Sequence, residues 1–420
     1  MIRGAIGLAA LAAGAALVRP RDRGAPHTAR FAGLQEELRR AGPGKPVLLL
    51  DLDALDANID VVRRGVAPGM AVRVVAKSLP SIPLLRYVLG RLGTDRLMVF
   101  DESIGPLSRE FPEADLLLGK PLPVQAVEAF YEEYAKDGVA SPGARVQWLV
   151  DGPERLAQYA ALARSRGVKM RVSIEIDVGL HRGGVEEPAA LRAMLQAISA
   201  APEHLTFAGL MGYDAHVAAA PPLLSSRERA LGAVIERYRA FREVVRDHDP
   251  AWMAGAVFNG GGSKTYALYG SDAPIDEVAL GSALVMPGGF DGPTLSAHKE
   301  ALFIATPVLK RLAGTRVPYL ERLSRPWASW DPNRQVTYFV FAGGWLAKPV
   351  SPAGLVDNPI YGFSTNQAML NGSEKTGLAP DDWVFFRPAQ SERVMQEFGA
   401  IRTVRGGRLS DTWSALPFLP

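Results

Sequence analysis

The sequence predicts an α/β fold, a (β/α)8 TIM-like barrel followed by a smaller C-terminal β-rich region. Three observations carry this. Between residues 71 and 286, eight short apolar runs recur, most of them separated by stretches whose apolar residues fall at helical spacing. No glycine-rich dinucleotide loop follows the first of these runs, which argues against an open doubly wound sheet. After about residue 297 the helical rhythm stops, and β-prone runs alternate with Pro, Gly and Asn turns. At 420 residues the chain exceeds one ordinary core, so two domains are expected.

Ala5 to Val18 is nearly all Ala, Leu, Gly and Ile, with Arg3 before it and Arg19, Arg21 and Arg23 after it. It is short for a membrane span, which needs about 20 residues, and the arginines that follow oppose simple export. Residues 1–27 are therefore expected to form an apolar N-terminal segment and linker on a cytoplasmic protein, with weak membrane association through residues 4–18. Residues 28–41 read as an amphipathic helix ended by Gly42–Pro43–Gly44, and Pro46 to Asp53 as a strong strand. Residues 54–64 read as a helix with Asp53 as its N-cap.

The barrel is expected within residues 28–296, with strands at 71–76, 97–100, 115–119, 146–150, 170–176, 207–212, 254–258 and 278–286. Helices are expected at 80–92, 122–136, 153–166, 186–199 and 225–248. The β-rich domain is expected at 297–420, with strands at 299–312, 336–341, 345–350, 383–387 and 394–404 and a turn at Asn371–Gly372. The strand at 46–53 suits either region, so the second domain can be built from both ends of the chain.

Composition removes several function classes. Apolar residues make up 48% and charged residues 22%, an ordinary globular balance, and the formal net charge is only +3. The arginines are scattered rather than interleaved with aromatics, so no nucleic-acid track is expected. The absence of cysteine excludes disulfides, thiolate nucleophiles, thiol zinc sites and iron–sulfur clusters. Only six histidines are present, and no two have the i,i+4 spacing of a helical metal pair.

In a barrel, residues at the C-terminal strand ends surround one pocket. The first apolar run, AVRVV from Ala71, leads into Lys77, Ser78 and Pro80. An amine held there beside apolar walls has its pKa lowered by desolvation and is suited to Schiff-base chemistry; a strand-end lysine that simply reaches solvent is the plainer alternative. Asn259–Gly260–Gly261–Gly262–Ser263 follows the seventh run, and Gly281–Ser282 lies at the eighth. Consecutive glycines leave backbone N–H groups free to curl around an anion, and barrel phosphate sites are built from these two loops. After the fifth run, Arg182 is suited to a cofactor atom or a substrate carboxylate, or to a salt bridge with Glu175 or Asp177. After the sixth, Tyr213 and His216 offer a phenol and a base that works near neutral pH. A phosphate cradle and a strand-end lysine on one barrel point to pyridoxal 5'-phosphate, whose ring acts as an electron sink. A lysine-dependent aldolase acting directly on a sugar phosphate is the rival.

The segments LLLDLDALDANI (48–59), VRVVAKSL (72–79), EIDVG with Arg182, GLMGYDAHVAA (209–219), NGGGS (259–263), GSALVMPGGFD (281–291) and DDWVFFRPAQSE (381–392) together resemble the fold-type III pyridoxal phosphate enzymes. That group includes alanine racemase, D-threonine aldolase and D-serine dehydratase, and the likeness is greatest to the bacterial amino acid deaminase/aldolase branch. The resemblance implies that Lys77 holds the cofactor, that the glycine loop and Gly281–Ser282 hold its phosphate, and that Arg182 lies by its ring. It also implies a homodimer and an amino acid substrate. Relatives of the aldolase and dehydratase type carry a His-x-Cys or His-x-Asp metal pair near the C-terminus, where this chain has Gln390 and Glu392, so a divalent metal is doubtful and no metal residue is assigned. The expected activity is a lyase on a D- or β-hydroxy amino acid, by retro-aldol cleavage to glycine and an aldehyde or by dehydration, with His216 and then Tyr213 as candidate bases. An amino acid racemase and a non-catalytic cofactor-binding protein are the alternatives.

Overall fold

The computed structural model describes residues 19–101, 103–136, 143–362 and 364–417. Eight parallel strands close into a barrel: β2 (Ala71–Val75), β3 (Arg96–Val99), β4 (Asp115–Leu118), β5 (Val146–Val150), β6 (Met170–Glu175), β7 (Leu205–Met211), β8 (Val257–Gly260) and β9 (Glu277–Leu280), with β9 pairing back onto β2. The expected strands are all present, displaced by a few residues at most at their starts. The largest differences bear on the site. The seventh strand begins later than expected and takes in Asn259 and Gly260, and the eighth ends at Leu280, where a short helix, Ser282–Val285, takes over. The short crossover after β3 holds a seven-residue helix, Ile104–Glu110, that the periodicity did not reveal.

Arg73 interrupts the apolar run of β2 because its side chain fills the barrel interior. It is fully buried, with its Nε 2.5 Å from Glu277 and an Nη 2.7 Å from Asp115. Arg96 reaches Glu277 at 2.6 Å and Arg171 reaches Asp115 at 3.0 Å, so charges of both signs alternate across this layer. The carbonyls of Leu97 and Asp115 accept from the remaining Nη of Arg73, so the buried guanidinium is well supplied with acceptors.

The second region is a nine-stranded sheet. Its main path runs β13 (Val356–Asp357), β14 (Gln367–Gly372), β11 (Val336–Phe341), β10 (Leu302–Ala313), β1 (Val47–Asp51), β16 (Ala400–Arg405) and β17 (Arg408–Ser414). Two further strands, β12 (Ala347–Ser351) and β15 (Trp383–Pro388), pair with each other, and β15 pairs with β10. The strand near residue 46 thus belongs to this sheet, antiparallel to β10 and parallel to β16. Its run VLLLD is apolar throughout because both faces are covered. Leu48 and Leu50 enter the large core shared with the barrel, while Val47 and Leu49 meet Phe31, Leu34 and Leu38 of helix Ala29–Ala41.

Several expected details change. The helix Leu52–Gly65 is capped by Asp51, whose carboxylate accepts from the N–H groups of Asp53 and Ala54, and not by Asp53. Asp53 instead receives Arg405 and the N–H of Gly406 from the sheet. Asn371 and Gly372 are not a hairpin turn but the buried end of β14, where the Asn371 amide donates to Thr315 and Thr337. The expected strand at 394–404 divides into a helix, Ser391–Phe398, ended by left-handed Gly399 (φ +66), followed by β16.

The expectation of weak membrane association, and with it a membrane-associated location, is corrected. Among the described residues no helix is long and apolar enough to cross a membrane. The longest of the helices, Arg227–His248, is studded with charge along its length. Residues 4–18, to which the expectation was attached, lie outside the described residues.

Candidate active site

β2 ends at Val75, and one turn of 3-10 helix, Ala76–Ser78, turns Lys77 into the barrel mouth. Pro80 lacks an N–H, and Ser81 opens the next helix by accepting from the N–H of Leu84, so the chain must leave the strand direction here. The Lys77 ammonium lies 4.1 Å from the centroid of Phe100. Phe100 is packed onto Gly119, where a Cβ would overlap the ring. Lys77 is accessible from the mouth, yet the protein around it lowers its pKa. Desolvation is the leading cause, Glu392 opposes it, and Arg182 and Lys120 add to it.

Arg182 and Tyr213 share the cavity with Lys77, their guanidinium carbon and ring centroid 4.6 Å apart. Among the described residues Arg182 makes no ion pair within 4.0 Å, so the alternative of a salt bridge to Glu175 or Asp177 is not taken up; Arg182 acts on Glu175 only at longer range. Asp177 is instead used in its own loop, accepting from the N–H groups of Gly179 and His181 and from the His181 ring at 2.6 Å. Burial pushes the Glu175 carboxyl up to about 7, with Arg182 opposing the shift. Burial also raises the Tyr213 phenol, which therefore remains a donor at neutral pH.

The loops after β7 and β8 are joined by fully buried Asp214, which accepts from Thr265 at 2.8 Å and from Tyr269 at 2.6 Å. This places the Tyr213 ring where a Cβ on Gly262 would meet it at 3.0 Å. Gly261 has φ +70, a conformation that only glycine adopts without strain. The Ser263 hydroxyl accepts from the N–H groups of Gly281 and Ala283, each at 3.2 Å, and Ser282 donates to Ser78. A Cβ on Gly281 would lie 2.8 Å from both the Val75 carbonyl and Ser78. The glycine loop and the Gly281 turn thus converge on one wall as bare backbone.

Of the residues expected in the site, Lys77, Arg182, Tyr213 and Ser282 line this one cavity, as do Asn259, Gly261, Gly262 and Ser263. Gly260 and Gly281 adjoin it in the chain. The Asn259 amide is directed away, donating to Glu277 in the charged layer at 2.8 Å. His216 is not among the described residues that line the cavity. Its Nε2 faces Gly179, 3.3 Å from where a Cβ would stand, and its Nδ1 is buried without a hydrogen-bond partner. Phe100, Gly119, Phe290 and Glu392 line the cavity although none was assigned to the site. Phe100 follows directly on β3, where the strand-end rule could have found it; Glu392 was legible only as the place of the relatives' metal pair, because it arrives from the helix after β15 of the sheet.

The chain matches the alanine racemase N-terminal domain family over residues 50–287. Among curated proteins it is 27% identical to a 3-hydroxy-D-aspartate aldolase of Paracoccus denitrificans over 280 residues, 63% of this chain and 68% of the relative. Among solved structures it superposes on a D-threonine aldolase from Filomicrobium marinum with a TM-score of 0.67 and 17% identity, covering 89% of this chain and 97% of that one. It superposes on a D-threo-3-hydroxyaspartate dehydratase from Delftia sp. with a TM-score of 0.66 and 19% identity, covering 89% and 98%. These likenesses of architecture agree with the barrel and the sheet. The chain belongs to the alanine racemase N-terminal domain family, the fold-type III pyridoxal phosphate enzymes.

Proposed function

We propose that this protein is a pyridoxal phosphate-dependent lyase acting on a D- or β-hydroxy amino acid. One observation carries the reading: an amine of lowered pKa, Lys77, shares a cavity with the side-chain-free backbone of Gly261 and Gly262 and with Ser263 and Ser282, next to the Gly281 turn. That combination fits a phosphate-bearing aldehyde. Lys77 would hold the aldehyde carbon, and the N–H groups that now meet Ser263 would turn to the phosphate. Tyr213 and Phe100 would flank the ring, with Arg182 beside it.

When bound, the cofactor supplies an electron sink for negative charge at the substrate's α-carbon. The protein's part is to choose which bond to that carbon breaks. Lys77 is placed to carry a proton to or from the α-carbon, and Arg182 to hold the substrate carboxylate or a cofactor oxygen. The relatives named for 3-hydroxyaspartate and D-threonine support a β-hydroxy substrate.

The experiment is spectroscopic and then kinetic. Purified protein should bind pyridoxal phosphate with a visible band, borohydride should fix the label on the peptide containing Lys77, and Lys77→Ala should lose both. The bound protein should release glycine and an aldehyde from D-threonine, or ammonia from D-serine. A protein that stays colourless with added cofactor would remove the reading.

A further inference from the structure

We infer that Glu392 is a catalytic acid–base of the proposed lyase, taking the β-hydroxyl proton; the inference rests on that reading of the reaction. Among the described residues lining the cavity that contains Lys77 and the glycine wall, Glu392 is the one carboxylate. It also lines the adjoining outer opening, with Asp101, Lys120 and Gln396. It therefore stands between the lobe suited to the cofactor and the opening through which a substrate side chain would project.

Its position is held from several sides. Ala389, just after β15, donates its N–H to the Leu346 carbonyl and accepts from the Gly289 N–H, so the chain is tied to both the sheet and the loop after the barrel. Gln390 adopts extended backbone as the N-cap residue of helix Ser391–Phe398 and lines a separate groove beside Trp345. Buried Ser391 donates to a Glu392 oxygen at 3.2 Å. The C-terminal segment closes the outer side, where the Leu416 N–H donates to the Pro80 carbonyl at 2.7 Å. The charged groups around Glu392 are Lys77, Lys120, Arg182 and Asp101, three cations and one acid. The other candidates are less suited: burial keeps the Tyr213 phenol protonated, and His216 lies outside the lining.

In the retro-aldol direction the β-hydroxyl proton passes to the Glu392 carboxylate. The Cβ–O bond becomes a carbonyl as the Cα–Cβ bond breaks, and the pair left at Cα, which a bound cofactor would stabilise, takes a proton from the Lys77 ammonium. Glycine and an aldehyde leave, and the proton on Glu392 returns to Lys77 through solvent. α-Proton exchange on an amino acid without a β-hydroxyl needs no such base.

The test uses the cofactor-loaded protein and Glu392→Gln. The variant should bind pyridoxal phosphate within about threefold of wild type by absorbance titration and, because Glu392 also opposes the lowering of the Lys77 pKa, should lose no more than about tenfold in exchange of the α-proton of D-alanine into deuterated water. It should cleave D-threonine at least roughly 100-fold more slowly, with Glu392→Asp intermediate. Cleavage by Glu392→Gln within about threefold of wild type would overturn the role of Glu392 and leave the lyase reading standing. Equal loss of exchange and cleavage, or lost cofactor binding, would overturn it too, making Glu392 a support for Lys77 or for the fold. Wild-type protein that exchanges α-protons but cleaves no β-hydroxy amino acid would overturn the lyase reading itself, and the assignment of Glu392 with it.

Discussion

At the scale of single residues, environment decides what a side chain can do. Lys77 and Lys264 are both lysines beside the cavity region, but Lys264 donates to the Gly289 carbonyl, whereas Lys77 faces Phe100 and loses solvation. Glu175 shows the same effect with the opposite sign. Its folded pKa of about 7 lies above the usual value, so the folded state holds a proton that the unfolded chain has released, and stability falls as pH rises from about 4.5 to about 7. Urea unfolding of the cofactor-free protein should show Glu175→Gln gaining on wild type by up to a few kcal/mol at pH 8 and differing little at pH 4, and a pH-independent difference would contradict this. The strand-end lysine was legible from sequence because a cation at the end of an apolar run needs a reason. The elevated carboxyl was not, since burial depends on what packs around it.

At the scale of elements, the barrel depends on loops that pass close to one another. Gly281→Ala would push a methyl group against the Val75 carbonyl and Ser78, between the first and last barrel strands. Overpacking of this kind costs about 1–3 kcal/mol, and cofactor titration of Gly281→Ala should also show weakened binding. The interior layer is equally demanding. Arg73→Met would leave Glu277 with Arg96 and the Asn259 amide, and Asp115 with Arg171 and the Gln147 amide, in a site built around the lost guanidinium. Removing one partner of a buried ionic network costs about 3–5 kcal/mol, so urea unfolding should register a large loss, and a change under about 1 kcal/mol would refute the structural role. The short apolar runs made the strands legible, and Arg73 appeared only as an interruption. Its partners come from β4 and β9, far away in sequence, and only barrel closure brings them together.

At the scale of the whole molecule, the sheet and the barrel are built as one object. β1 pairs only within the sheet yet sends alternate side chains into both cores. Arg387 of β15 crosses to the loop after the barrel, donating to the Met286 and Pro287 carbonyls and pairing with Asp291 and Glu300. That loop carries Phe290 into the cavity. Arg387→Ala should lower stability by about 2–4 kcal/mol and weaken cofactor binding together, measured by unfolding and by absorbance titration, because two buried carbonyls lose their donor while the loop loses its anchor.

The amino-acid sequence alone determined the barrel, the β-rich second region, the lysine at a strand end and the glycine loops, because each rests on local periodicity or on backbone freedom that a short segment reveals. It did not determine that the strand at Val47–Asp51 joins the sheet, that Asp51 caps the following helix, or that residues 391–398 form a helix. Above all, it left Glu392 as a remnant of a motif. Only the tertiary structure brought that carboxylate, 315 positions from Lys77 along the chain, to the same cavity. Side chains that meet between the barrel and the sheet share no local pattern; their proximity is set by how the two pack.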